Sequence, residues 1–161
     1  MLFDTHAHYD DEAFDADRDA VLAAFDGLVI APGCTLASSQ AAVDLTARHP
    51  HVYAAVGIHP ENCGDFVPEH MDALRRMARD PKVVAIGEIG LDYYWPENPP
   101  RDFQQQVFRA QLELALELDL PVIVHDREAH GDSLAIVKGY PALRGVFHCF
   151  SGSVEMAREL L

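Results

Sequence analysis

The chain has 161 residues, 49% of them hydrophobic and 24% charged, which is enough apolar material for one globular domain and excludes a disordered chain. Twelve basic against twenty-six acidic residues give a formal net charge of −14, which argues against gripping nucleic acid through a broad basic surface. Any polyanionic substrate would need a local site of metal or arginine to overcome that field, and the acidic residues otherwise read as a solvated surface.

Six short apolar runs alternate with longer amphipathic ones. In chain order the strands are predicted at Leu2 to Thr5, Leu28 to Ala31, Val52 to Gly57, Val83 to Gly87, Pro121 to His125 and Gly145 to Phe150. Helices are predicted between them at Arg18 to Phe25, Leu36 to Arg48, Glu69 to Arg79, Arg101 to Leu118 and Asp132 to Lys138. A sixth helix, in SVEMARELL, takes Ser151 or Ser153 as its cap. The fourth helix is the clearest, with apolar residues at helical spacing and neither Gly nor Pro. The strands are rich in Val and Ile on both faces, as buried parallel strands are. This alternation predicts a single α/β domain over residues 1–161 with a parallel sheet.

Cys34, Cys63 and Cys149 are odd in number and lack C-x-x-C spacing, so neither a disulfide framework nor a zinc ribbon is indicated. No apolar stretch reaches membrane-spanning length, and Asp4 stands where a signal peptide would carry a basic and then an apolar region. A soluble, cytoplasmic protein without a membrane partner is expected.

Neither G-x-G-x-x-G nor a P-loop pattern occurs, which speaks against a doubly wound nucleotide-binding sheet. Polar groups gather instead at predicted strand ends. His6 and His8, in FDTHAH, lie two apart after the first strand and so share a face. His59 follows the third strand, Glu88 the fourth, His125 the fifth, and His148 lies near the end of the sixth. In a TIM-type β/α barrel those ends converge on the face where active sites are built.

Taken singly, each candidate has an ordinary explanation. A lone His125 or His148 is more commonly a core histidine bonded to a backbone carbonyl, and a lone Glu88 more commonly pairs with a basic neighbour. Together they make an improbable distribution of core residues. A buried carboxylate needs a cation or must protonate, and a metal ion is the economical partner. Four histidines and one carboxylate suit Zn, Mn or Fe, and admit Mg where waters and phosphate oxygens complete the shell. The set is too large for one ion; a shared Glu88 would bridge two, with His6 and His8 on one and His125 and His148 on the other. Two ions about 3.5–4 Å apart can activate water and stabilise both oxygens of a phosphodiester displacement. Arg127 suits a phosphate by its guanidinium geometry, or equally a salt bridge. Tyr93, Tyr94 and Trp95 can stack on a base or simply pack in a loop. Asp92 is read as an orienting group or a turn cap.

The ordered series FDTHAH, VGIHPEN, IGEIGLDYY, FQQQVFRAQLELALELDLPVIVHDREA and GVFHCFSGS resembles the TatD family of metal-dependent hydrolases and deoxyribonucleases, related to amidohydrolase barrels. The resemblance covers essentially the whole chain. It implies a β/α barrel, two divalent ions (Mg, Mn or Zn) and a deoxyribonuclease of the 3′-exonuclease kind acting on DNA or another phosphodiester. By position it implies His6 and His8 as first-metal ligands, Glu88 as the bridging carboxylate, His125 and His148 as second-metal ligands, and His59 as a contact for substrate phosphate.

Barrels of this kind have eight strands over about 250 residues, whereas six strands are predicted here. The family's eighth-strand aspartate, a first-metal ligand placed to activate water, has no counterpart among these motifs, so no general base is assigned. A C-terminally truncated member with about six of eight β/α units is therefore expected, its open edges inviting self-association. Two other readings stand beside the nuclease: a metallohydrolase of C–N or ester bonds, and a metal-binding fragment without activity.

Overall fold

The computed structural model describes residues 2–161. Six parallel strands, β1 (Leu2–Asp4), β2 (Gly27–Pro32), β3 (Val52–Val56), β4 (Val83–Asp92), β5 (Val122–Arg127) and β6 (Gly145–Phe147), lie side by side in chain order. Six helices connect or follow them: α1 (Arg18–Ala24), α2 (Leu36–Arg48), α3 (Glu69–Met77), α4 (Arg101–Leu118), α5 (His130–Val137) and α6 (Val154–Leu160). This is the β/α alternation of a TIM-type barrel over six units. Among the described residues β6 does not pair with β1, so the barrel is incomplete.

The four central strands each have two apolar faces with different duties. Val29, Ala54, Ile86 and Val124 face the helices and join Leu45, Leu74, Phe108 and Leu112 in the main core. The opposite face carries a smaller cluster of Ala55, Ala85 and Ile123 with Ile30 against it. Two small alanines there suit the confined inner face of a curved sheet. Burial on both faces explains why the strand sequences show no polar alternation.

Local signals set the helix ends. A reciprocal capping box between Thr35 and Ser38 starts α2, and Ser153 caps α6, leaving Ser151 outside. Pro100 precedes α4, and Asp119, in the left-handed region at φ 53°, ends it. None of the helices is long and apolar enough to cross a membrane, among the described residues.

The structure moves several boundaries, those of β4, β5, β6 and α5 among them, with β5 running two residues past His125 to Arg127. β4 runs on to Asp92, so Glu88 lies inside the strand. Its register shifts against β3 near Ala55 and against β5 between Ile86 and Ile89, and these irregularities with Gly87 and Gly90 mask its length in the sequence. β6 stops at Phe147, so His148 is the first residue beyond it; Cys149, at φ 45°, turns the chain away. α5 begins at His130, two residues earlier than predicted, where Asp126 accepts from Ser133 and meets His130.

Candidate metal centre

Glu88 is 3% exposed and is the hub around which the strand ends assemble. Its two oxygens face different groups. Oε2 lies 3.2 Å from His6 Nε2 and 3.5 Å from His8 Nε2, beyond β1. Oε1 lies 3.0 Å from His125 Nδ1, 2.5 Å from His148 Nε2 and 3.6 Å from His59 Nε2. The rings also touch each other. His6 stacks on His148 with centroids 3.9 Å apart, and the Nε2 atoms of His6 and His8 are 3.0 Å apart. All five predicted histidines and Glu88 thus form one cage. Arg127 stands apart from it, exposed at the end of β5.

The donors fit a divalent cation. His6, Glu88 and His148 present ligand atoms within 4.8 Å of one another, as do His59, Glu88 and His125, and likewise His8, Cys34 and Glu88. Imidazole and carboxylate are the ligand types of Zn, Mn and Fe sites. Nδ1 of His6 and of His148 is buried without a protein hydrogen-bond partner, so the protein ties neither ring through that nitrogen.

Two histidines are oriented by their second nitrogen. His125 Nε2 lies 2.9 Å from Asp92 Oδ2, the carboxylate–histidine arrangement that fixes a ligand ring and leaves Nδ1 for the cage. Asp92 is fully buried, and its Oδ1 accepts from the Tyr94 backbone N–H, so it both orients the ring and caps the turn. His59 Nδ1 accepts from the Glu61 N–H. A neutral ring then carries its proton on Nε2, aimed into the cage as a donor.

Helix α4 holds two parts of this site through buried glutamines. Gln111 accepts from Ile58 N–H and donates to Ile58 C=O, fixing the residue before His59. Gln104 does the same for Asp92 and also donates to Pro99 C=O. Gln111→Met is expected to leave both Ile58 groups unpaired and to lower stability by about 2–4 kcal/mol in a urea titration. A change below about 1 kcal/mol would mean that water replaces the amide.

Sequence reasoning missed Cys34. Its Sγ lies 4.0 Å from Glu88 Oε2, just past β2, the one interior strand end to which no group was assigned. Counting cysteines in pairs hid it; counting groups at strand ends would have found it. Burial, with the Glu88 charge nearby, pushes its thiol up to about 12. Asp10 is the other omission, 3.9 Å from His8 Nδ1 through Oδ1, with burial raising its carboxyl.

Charge in the cage sets a pH dependence. Burial opposes ionisation of Glu88, but the contacts to His125, His148, His59 and His6 outweigh it and hold the carboxyl far below its ordinary 4.5. Burial lowers His125, but Glu88 and Asp92 outweigh it and raise the ring above 6.5; contact with Glu88 raises His8. The Glu88 contribution is present above 4.5 and lost as pH falls toward its folded value. The imidazole contributions are complete below 6.5 and lost as pH rises through the raised values. Chelator-treated protein should therefore melt higher at about pH 5.5 than at about pH 8. Added Mn²⁺ or Zn²⁺ needs neutral rings, so its stabilisation should grow across the same interval. Calorimetry showing the same slope with and without metal would defeat this account.

The sequence matches the family described as TatD related DNase over residues 3–161. It is 39% identical over 167 residues to the uncharacterized metal-dependent hydrolase YabD of Bacillus subtilis, covering 100% of this chain and 65% of the relative. It is 37% identical over 158 residues to the 3′-5′ ssDNA/RNA exonuclease TatD of Salmonella typhimurium, covering 94% and 60%. The crystal structure of YJJV, a TatD homolog from Escherichia coli, superimposes with a TM-score of 0.91 at 34% identity, over 99% of this chain and 64% of that one. The chain thus spans 60–65% of the length of these proteins.

Proposed function

We propose, from the premise that the chain belongs to the family of TatD-related DNases, that it is a divalent-metal-dependent hydrolase cleaving phosphodiester bonds of single-stranded nucleic acid. The observation that carries this reading is the division of Glu88, with Oε2 turned to His6 and His8 and Oε1 to His125 and His148. One carboxylate with a separate imidazole set on each oxygen suits two ions sharing a bridge, Mn or Zn by donor type, and Mg where waters and phosphate oxygens complete the shell. Bound there, the ions would polarise the phosphoryl group and acidify a water.

The chain's own residues supply orientation and charge. Asp92 holds His125 so that Nδ1 faces the cage. His59, fixed through Nδ1 by the Glu61 N–H, points its Nε2 proton where a phosphate oxygen would accept it. The named activity of the Salmonella relative, on ssDNA and RNA, supports a single-stranded substrate. Residues 1–161 act in this reading as one partial barrel domain. Leu2, Phe3 and Val146, exposed on the edge strands, favour self-association there. The three cysteines are unpaired, in keeping with a reducing cytoplasm.

The test is Mg²⁺- or Mn²⁺-dependent release of nucleotides from single-stranded DNA by the purified 161-residue chain. Release that stops with chelator supports the reading. Folded, metal-loaded protein that releases nothing while hydrolysing a peptide or carboxylic ester would replace it with C–N or ester chemistry.

A further inference from the structure

We propose that Tyr94, Trp95 and Arg127 form a stacking subsite for the base of an unpaired nucleotide, at the rim of the cage that takes its phosphate. The proposal rests on the phosphodiesterase reading above. β4 and β5 end in register at Asp92 and Arg127, so the next residues of the first strand stand beside the last of the second. The Arg127 guanidinium lies 3.9 Å from the Tyr94 ring centre and 5.3 Å from that of Trp95. Tyr94 and Trp95 meet edge to face at 4.6 Å.

These three residues are built against one another and left partly open to solvent. Tyr94 is 49% and Trp95 42% exposed. Among the described residues the arginine ion pairs within 4.0 Å belong to Arg18, Arg48, Arg75 and Arg144, and Arg127 has none, although the chain carries twenty-six acids. The neighbouring Tyr93 shows the contrast. Its hydroxyl donates to Asp132 and accepts from Gln105, so it is spent on structure.

The platform is also wired to the cage. Asp92 accepts the Tyr94 N–H with one oxygen and faces His125 Nε2 with the other, so a single buried carboxylate sets both. Arg127 lies two residues past His125 on the same strand. A protein with net charge −14 cannot hold a nucleic acid by general attraction. Stacking on aromatic faces needs no such field, and a guanidinium joined to the stack adds charge where the phosphate passes. A base within a duplex has both faces covered by its neighbours, so the subsite selects unpaired ends.

Trp95 is the chain's single tryptophan, which makes its fluorescence a direct reporter. The 161-residue chain in Mg²⁺ is titrated with thymidine 5′-monophosphate and, separately, with deoxyribose 5-phosphate. Saturable quenching by the nucleotide alone is expected, weakened about 5- to 100-fold in Tyr94→Ala and kept in Tyr94→Phe. Arg127→Met should weaken it as well. Equal quenching by deoxyribose 5-phosphate, no quenching by the nucleotide, or unchanged affinity in Tyr94→Ala overturns the subsite. Hydrolysis of single-stranded DNA is followed in parallel. Hydrolysis indifferent to Tyr94→Ala and Trp95→Ala removes the subsite and leaves the activity, whereas nucleotide-specific quenching without hydrolysis keeps the subsite and removes the activity.

Discussion

Glu88→Gln is expected to reduce metal-dependent hydrolysis by on the order of 10³ or more, while the protein stays folded. The substitution keeps the side-chain volume but removes the charge and replaces one of two acceptors with a donor. Both oxygens of Glu88 are engaged, by His6 and His8 on one side and by His125, His148 and His59 on the other, so neither can be given up without loss. A metal ion supplies several kcal/mol of transition-state stabilisation, and each 1.4 kcal/mol or so is a factor of ten in rate. Calorimetric titration with Mn²⁺ should show the same loss without reference to any substrate. Ion uptake by Glu88→Gln within about tenfold of the parent would mean that the imidazoles bind alone and that the carboxylate is not shared.

Gly90→Ala should cost about 3–5 kcal/mol of stability, lowering the melting midpoint by roughly 6–20 °C. Gly90 sits in β4 between Glu88 and Asp92, directly opposite His125. Its φ of 143° is one that L side chains rarely adopt, and a Cβ there would stand 2.0 Å from the His125 carbonyl oxygen. The obstacle is backbone, so no rotamer change relieves it; the two strands must part, and His125 must move with them. Metal affinity should therefore fall with stability. Gly131→Ala is the control, because a Cβ on that residue of α5 meets nothing within 4 Å. It should gain about 0.4–1 kcal/mol by restricting the unfolded chain. Similar midpoints for the two variants would refute the assigned backbone constraint.

The alternation of apolar runs and amphipathic stretches was sufficient to read a parallel β/α architecture, because each β/α unit is encoded locally. Convergence of His6, His8, His59, Glu88, His125 and His148 was legible for a related reason: parallel strands put all their carboxyl ends on one side. What the sequence concealed was local departure from regularity. Register shifts carry β4 on to Asp92, and no periodicity announces them. Cys34 escaped because its meaning depends on which groups stand opposite it. Arg127 was open between a phosphate and a salt bridge; the structure lays its guanidinium over the Tyr94 ring, a placement that depends on the path of the turn after β4. Asp92 serves as both orienting group and cap, since its two oxygens point in different directions.

The strand order also bears on how the chain folds. Every strand after the first lies beside the one synthesised just before it, so each pairing closes a loop only one β/α unit long, at a lower entropic cost than a pairing across the whole chain. The cage contacts reach further: Glu88 meets His6 and His8 three strands away, and the stack of His6 on His148 joins segments near opposite ends of the chain. It can form only after the intervening units are in place. Substitutions at His6 or His148 should therefore speed unfolding and leave the refolding rate nearly unchanged, the kinetic signature of contacts made after the rate-limiting barrier.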